Sequence, residues 1–275
     1  MDAAETAFAK INLALHVRRR EADGYHAIET LFAFAEDGDT LQLTDEPGLQ
    51  IVGPFSSALA EGDNLVLRAA RGFAALTGRA IDGGFLLDKK LPVAAGIGGG
   101  SADAAAALRL LCARDGVDVT DRHVAALAAS LGADVPACLL SVPVRGEGRG
   151  DRLEPVVGLP SGQALLLVNP MQPLATGPVF AAWDGVDRGP LGTGDPLAAA
   201  RAGRNDLEAP ATAVLPVIAE VLASLRASAG ADLVRMSGSG ATCFALFDNI
   251  ESRDLAARRL ASQYPDWWQL PTRLR

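Results

Sequence analysis

The chain has 275 residues, 49% of them hydrophobic, which is enough for one large domain or two small ones around a sizeable core. Its 25 Lys and Arg against 33 Asp and Glu leave a net charge of −8, so a nucleic-acid backbone is a poor partner. No apolar run approaches the roughly eighteen residues a membrane span needs, the opening Met1-Asp2-Ala3-Ala4-Glu5 has no signal-peptide layout, and Cys112, Cys138 and Cys243 form no Cys-x-x-Cys pair. These features predict a soluble cytoplasmic protein with no membrane, zinc site or disulfide framework.

The first forty-odd residues alternate as strands do. In Ala7–Val17 the residues Phe8, Lys10 and Asn12 fall on one face, and Ala9, Ile11, Leu13 and Leu15 on the other. Asp23-Gly24 signals a turn, a second strand is predicted over 27–35, and a third over 39–43. The stripe Leu65, Ala69, Phe73, Leu76 predicts a helix over 64–76, and Gly84–Asp88 reads as a strand. Helices are predicted over 101–114 and 121–130. The Gly-, Pro- and charge-rich stretch 142–160 reads as a linker or a mobile loop, followed by a buried strand over 163–169. The segment 185–203 reads as mobile. A helix over 210–228, strands at 233–236 and 241–247 and a helix over 252–262 complete the chain. Strands first, then helices mixed with strands, give an α+β class, with a small α/β sandwich as a second domain.

The most informative stretch is Leu91-Pro92-Val93-Ala94-Ala95-Gly96-Ile97-Gly98-Gly99-Gly100-Ser101, because the Ala-rich run from Ala102 has high helix propensity. Glycines at a helix N-terminus let an anion meet the unpaired N–H groups at the positive end of the dipole. The stretch is neither a P-loop, since no lysine follows a glycine, nor a dinucleotide fingerprint, since Ser101 stands where the third glycine should fall. It reads either as a phosphate cradle or as a glycine-rich turn capped by Ser101.

Lys10 stands out in a chain whose other lysines are Lys89 and Lys90 alone. On an internal strand it needs an anionic partner; on an edge it would simply be solvated. Asp134, among small and apolar residues before Pro136, reads as a turn or cap residue or as a general base beside a cation. Ser237-Gly238-Ser239-Gly240-Ala241 is a second Gly-rich turn, either a tight hairpin or a close backbone approach to a ligand. Tyr25-His26 beside Asp23-Gly24 offers packing or a stacking platform for a base. The spacing of His16, His26 and His123 suits no metal.

Pro92-x-x-x-Gly96-Ile97-Gly98-Gly99-Gly100-Ser101 resembles the ATP-binding motif of the GHMP kinases, and Ser237–Ala241 resembles their closing glycine motif. Ala9-Lys10-Ile11-Asn12-Leu13, Asp23–His26, Gly62-Asp63-Asn64-Leu65-Val66 and Leu131–Pro136 are similar to one branch of that superfamily, which phosphorylates a cytidine-diphosphate-linked methylerythritol in the non-mevalonate isoprenoid pathway. The matches span nearly the whole chain in order.

The resemblance implies a GHMP kinase fold, with a ribosomal-protein-S5-like domain over 1–158 and a ferredoxin-like α/β sandwich over 159–275. It implies ATP and Mg²⁺, a small-molecule substrate, and a monomer or weak homodimer. Asp134 would take the hydroxyl proton while Lys10 polarises the same hydroxyl; a cation beside a carboxylate favours the charged form that accepts a proton. Asn64, Lys89 and the stretch Pro92, Val93, Ala94, Ala95, Gly96, Ile97, Gly98, Gly99, Gly100, Ser101 and Ala102 would bind ATP. Asn12, Tyr25, His26, Thr176, Phe180, Gly238 and Ser239 would bind the second substrate, with Tyr25, His26 and Phe180 around the cytosine. Ala94, Ala95 and Ala102 depart from the family pattern, which often has glycines at the first two and serine at the third. No compact carboxylate cluster suggests the metal ligands. Homoserine- or mevalonate-type phosphorylation is an alternative that the Tyr25-His26 pair disfavours, and a non-catalytic sensor of the same fold is one that Lys10 with Asp134 disfavours.

Overall fold

A computed structural model describes residues 3–58 and 64–275. Met1 and Asp2, and Gly62 and Asp63 of the Asn64 motif, lie outside the described residues. The chain divides into two compact units that interleave along the sequence. Unit 1 takes the chain up to Lys10, Asp37–Val93 and Gly98–Ser141; unit 2 takes Ile11–Glu36, Ala94–Ile97 and Val142–Arg275.

Two long strands serve both units. β1 (Ala4–Arg20) pairs with β2 (His26–Thr44), so the two strands expected over 27–35 and 39–43 are one. The acidic Glu36–Asp39 does not break it because Gly38 has no side chain: a Cβ there would lie 2.0 Å from the Ala7 carbonyl. Lys10 and Asn12 are buried along with the apolar residues of β1, at 3% and 2% exposure, so Lys10 is not a solvated edge residue.

In unit 1, β3 (Gly48–Val52) runs parallel to β4 (Gly84–Asp88) with α1 (Leu65–Thr77) between them in sequence. β4 pairs antiparallel with the Thr40–Thr44 end of β2. Then come α2 (Gly99–Asp115), α3 (Arg122–Leu131) and the short α4 (Val135–Leu140). The alanines at 104–107 are fully buried, so α2 is apolar nearly all round and packs against both α1 and α4, as a central helix must. The short α4 has no expectation in the sequence, since Pro136 sits in its first turn and only six residues follow the helical path.

In unit 2, the stretch expected to be a linker or mobile loop is a hairpin, β5 (Val144–Gly148) with β6 (Arg152–Pro155). β5 also pairs with Ile28–Phe32 of β2; Gly146 is needed there, since a Cβ would meet the Phe32 ring at 2.9 Å. β7 (Ala164–Asn169) follows as expected, and is buried throughout. α5 (Thr176–Ala181) and α6 (Pro196–Ala202) are short, the latter within the segment read as mobile. The single helix expected over 210–228 is two, α7 (Glu208–Val214) and α8 (Val217–Arg226). Pro216 cannot donate the helical N–H and forces Leu215 out of the helical region, to φ −134°, ψ 87°. β8 (Ala231–Met236), β9 (Cys243–Phe247), α9 (Ile250–Gln263) and β10 (Trp268–Arg273) complete an antiparallel sheet in the order β10-β7-β9-β8. α8 and α9 pack on it around Leu166, Val168, Val221, Leu225, Phe247 and Leu260, which is the α/β sandwich expected of this half.

Candidate active site

Within unit 1, the Lys10 ammonium lies 3.1 Å from the Asp134 carboxylate. Asp134 stands before α4 without capping it, so its side chain is turned to Lys10 instead of to the helix N–H groups. Lys10 is nearly enclosed while the Asp134 side chain keeps 36% of its surface, which leaves the carboxylate approachable. Gly98 packs on the lysine: its φ is +67°, a backbone region costly for other residues, and a Cβ there would sit 3.1 Å from both Cβ and Cε of Lys10. Arg109, which sequence reading missed, braces the pair from behind. Its guanidinium donates to the Thr6 carbonyl ahead of Lys10 and to the Cys138 carbonyl beyond Asp134, both at 2.8 Å, and pairs with Glu5.

Gly98 is also the N-cap of α2 and supplies no side-chain cap. The N–H groups of Gly99, Gly100 and Ser101 therefore point out of the helix start with no intrahelical acceptor, as the first turn of any helix does. Asn64 caps α1, its Oδ1 accepting from Val66 N at 2.8 Å. Lys89 is buried: Nζ donates to Asp39 at 2.5 Å and to Asp103 at 2.7 Å. Burial, reinforced by Asp39 and opposed by Lys89, pushes the Asp103 carboxyl up to about 7. For Lys89, desolvation works against the ammonium, but the charges of Asp103 and Asp39 win and raise its pKa. Asp39 and Asp103 carried no signal in the sequence, since each is an ordinary acidic residue until the fold encloses it.

The other half of the glycine stretch belongs to unit 2. Ala94 has φ +53°, so one position where the family pattern often has glycine does call for a left-handed backbone. The Ser237–Ala241 turn links β8 to β9, the hairpin reading, and it also grips this segment. Ser237 Oγ donates to Gly96 O at 2.9 Å and accepts from Asn12 N at 3.2 Å, while Thr242 N donates to Ala95 O at 3.1 Å. Gly96 must be glycine, because a Cβ would lie 2.5 Å from the Gly240 carbonyl. Asn12 Nδ2 donates to Thr30 Oγ1 at 2.8 Å, and its Oδ1 lies beside Gly238. Thr176 Oγ1 and Ser239 Oγ share a hydrogen bond of 2.9 Å.

Also in unit 2, the His26 ring lies 5.0 Å from that of Phe180 and 5.7 Å, edge-on, from that of Trp183. Phe180 and Trp183 are three residues apart, with Trp183 N donating to Phe180 O at 3.2 Å just past α5, a spacing through which Trp183 was findable. Burial, with the Arg20 charge second, lowers the His26 pKa. Arg20 Nε donates to His26 Nε2 at 3.4 Å, so the ring proton of the neutral form sits on Nδ1. Tyr25 is 58% exposed, with the Arg149 guanidinium over its ring at 3.9 Å and Asp23 paired to that guanidinium. Among the described residues no three His, Cys, Asp or Glu side chains group to hold a metal, and no helix is long and apolar enough to cross a membrane.

Two family models match the chain, the GHMP kinases N terminal domain over residues 64–141 and the GHMP kinases C terminal over residues 191–266. A protein of Rhizorhabdus wittichii named 4-diphosphocytidyl-2-C-methyl-D-erythritol kinase is 63% identical over 100% of this chain and 96% of its own length. The chain belongs to this kinase family. A second member, from Novosphingobium aromaticivorans, is 52% identical over 100% of this chain and 94% of its own. The crystal structure of a 4-(cytidine 5'-diphospho)-2C-methyl-D-erythritol kinase superposes with a TM-score of 0.80, at 36% identity and 99% coverage of both chains. The Methanococcus jannaschii mevalonate kinase, at 10% identity, 100% and 99% coverage and a TM-score of 0.69, shares the fold alone. As a member of the 4-diphosphocytidyl-2-C-methyl-D-erythritol kinase family, this chain is a small-molecule kinase of the GHMP type, with the α+β fold expected from its motifs.

Proposed function

We propose that this kinase transfers the terminal phosphoryl group of ATP to the 2-hydroxyl of 4-diphosphocytidyl-2-C-methyl-D-erythritol, in the non-mevalonate isoprenoid pathway. The names of its relatives supply the substrate, and the observation that carries the chemistry is the 3.1 Å Lys10–Asp134 pair with Gly98 packed upon the lysine. Asp134 takes the proton of the substrate hydroxyl, whose oxygen forms the new bond to phosphorus as the bridging P–O bond of ATP breaks and ADP leaves. Lys10 holds that hydroxyl and offsets charge gathering on the oxygen. The first-turn N–H groups of α2, with Ser101, receive the phosphates, while Asn64, Lys89 and 92–98 shape the ATP region. Mg²⁺ would offset phosphate charge in such a transfer, and with few protein ligands needed beside phosphates and water, the Ser101 hydroxyl would hold it on the protein side.

His26, with Phe180 and Tyr25, recognises the cytosine; the ring N–H on Nδ1 and the adjoining aromatic faces support that role. Asn12, Thr176, Gly238 and Ser239 border the rest of the substrate. We place the enzyme in the cytoplasm, as a monomer or weak homodimer, and draw the domain boundary between residues 158 and 159, where the two family matches fall on opposite sides. ATP-dependent ADP release with this cytidine compound, beside homoserine and mevalonate, tests the reading. Turnover with the cytidine compound alone is expected; no ADP release above background with that compound overturns it.

A further inference from the structure

We propose that the Lys89 ammonium is a positioning group for the phosphate cradle, one that sets the first turn of α2 by binding carboxylates and not phosphate. The inference rests on reading the start of α2 as the ATP-phosphate site.

The Asp39 end of β2 and the first two turns of α2, both in unit 1, meet at this one side chain, which is 1% exposed. Asp39 on β2 receives the ammonium on Oδ2, while its Oδ1 receives Lys90 N at 2.6 Å and Leu91 N at 2.8 Å. One carboxylate thus fixes both the ammonium and the backbone that leads out of β4 toward Pro92. Asp103, in the second turn of α2, receives the ammonium at 2.7 Å. Gly99 stands directly above: a Cβ there would lie 3.1 Å from Nζ and 3.9 Å from Asp39 Oδ2. The first residue of the cradle helix therefore rests on the Lys89 head group, and the absence of a Gly99 side chain is what allows the approach.

Stability alone is a poor explanation for this cluster. Asp103 Oδ1 is buried with no hydrogen-bond partner, which is costly. A cation under a helix N-terminus opposes the helix dipole. Buried ion clusters also add little stability over apolar packing of the same volume, whereas directed hydrogen bonds restrict geometry. What the arrangement does supply is a rigid spacing between the end of β4, the N–H groups of residues 99–101 and, through Gly98, the Lys10 side chain. Because the ammonium is buried and bound to two carboxylates, Lys89 acts on phosphate through that spacing.

The test is calorimetric binding of MgADP, and separately of the cytidine substrate, to the wild-type kinase and to the double variant Lys89→Met/Asp103→Asn. The double variant removes the ammonium and one of the two carboxyl groups that receive it, and keeps side-chain volume. A loss of MgADP affinity of about tenfold or more is expected, with cytidine-substrate affinity within about twofold and the unfolding temperature nearly kept. Equal MgADP affinity in the two proteins overturns the inference while leaving the cradle reading intact. Parallel loss of both affinities with a fallen unfolding temperature overturns it in favour of a merely structural cluster. A wild-type protein that binds no MgADP at all overturns the cradle reading itself. Should the double variant not fold, Asp103→Asn alone, which keeps shape and an acceptor, is expected to weaken MgADP several-fold; unchanged affinity there also overturns the inference.

Discussion

In the proposed reading Asp134 serves the chemistry and His26 the recognition, and each makes a separable prediction. Asp134→Asn keeps the shape beside Lys10 but removes the proton acceptor, so kcat is expected to fall by about 10²–10⁴ with MgADP affinity nearly unchanged; full activity in steady-state assays would refute the base. His26→Ala is expected to raise KM for the cytidine substrate at least tenfold and KM for ATP little, because only the aromatic cluster loses a member; equal effects on both would remove His26 from the cytosine. His16 makes a prediction about pH. It is 2% exposed, accepts from Arg204 N on Nε2 at 3.2 Å and so directs its Nδ1 proton to Gly189 O. Burial first, and the Arg204 charge second, lower its pKa below the ordinary 6.5. The unfolded chain therefore binds the proton more readily, and stability is full above about pH 6.5 and falls as pH drops through the window beneath. Denaturant midpoints from pH 7 to 5 are expected to fall less steeply in His16→Gln. Lys10 and Asp134 were legible because a lone lysine on an apolar strand and an acid among small residues each lack a local explanation. Asp39, Asp103 and Arg109 were not, since their partners are distant in sequence.

At the scale of elements, local rules carried most of the reading. The helix expected over 64–76 forms as α1, with Asn64 as its cap instead of its first residue. Asn64→Ala is expected to cost about 1 kcal/mol by thermal unfolding, since one first-turn N–H loses its acceptor. A cost near zero would mean that the cap bond contributes nothing to stability. The failures were equally physical. β2 continues through Glu36–Asp39 because Gly38 admits the Ala7 backbone, a tertiary reason that overrides the turn-like composition. The 142–160 stretch folds as a hairpin because its glycines at 146 and 148 let it pair beside β2 and turn, and the same glycines resemble a linker when read alone. Pro216 was readable as a break, but the apolar spacing on either side of it masked the signal.

For the whole molecule, ligands that bind only the folded chain must stabilise it by mass action. At 100 times its dissociation constant, each of MgADP and the cytidine substrate is expected to add about 2.7 kcal/mol, seen as a rise in unfolding temperature. No shift with MgADP at saturating concentration would contradict the proposed ATP site. The net charge of −8 is compatible with the two anionic substrates proposed, because the first-turn N–H groups of α2 and the Lys10 ammonium proposed to meet them act at short range.

The sequence by itself determined the α+β class, the family, the glycine-rich stretch ahead of α2 and the two residues of the Lys10–Asp134 pair. Those features are local, written in helix propensity, glycine placement and the conflict of a charge with apolar neighbours. Only the tertiary structure decided that Lys10 meets Asp134 at 3.1 Å, that Lys89 turns inward to Asp39 and Asp103, and that Ser237 holds Gly96. A buried charge must find its partner wherever the fold brings one, and no pattern of neighbours along the chain records which partner that is.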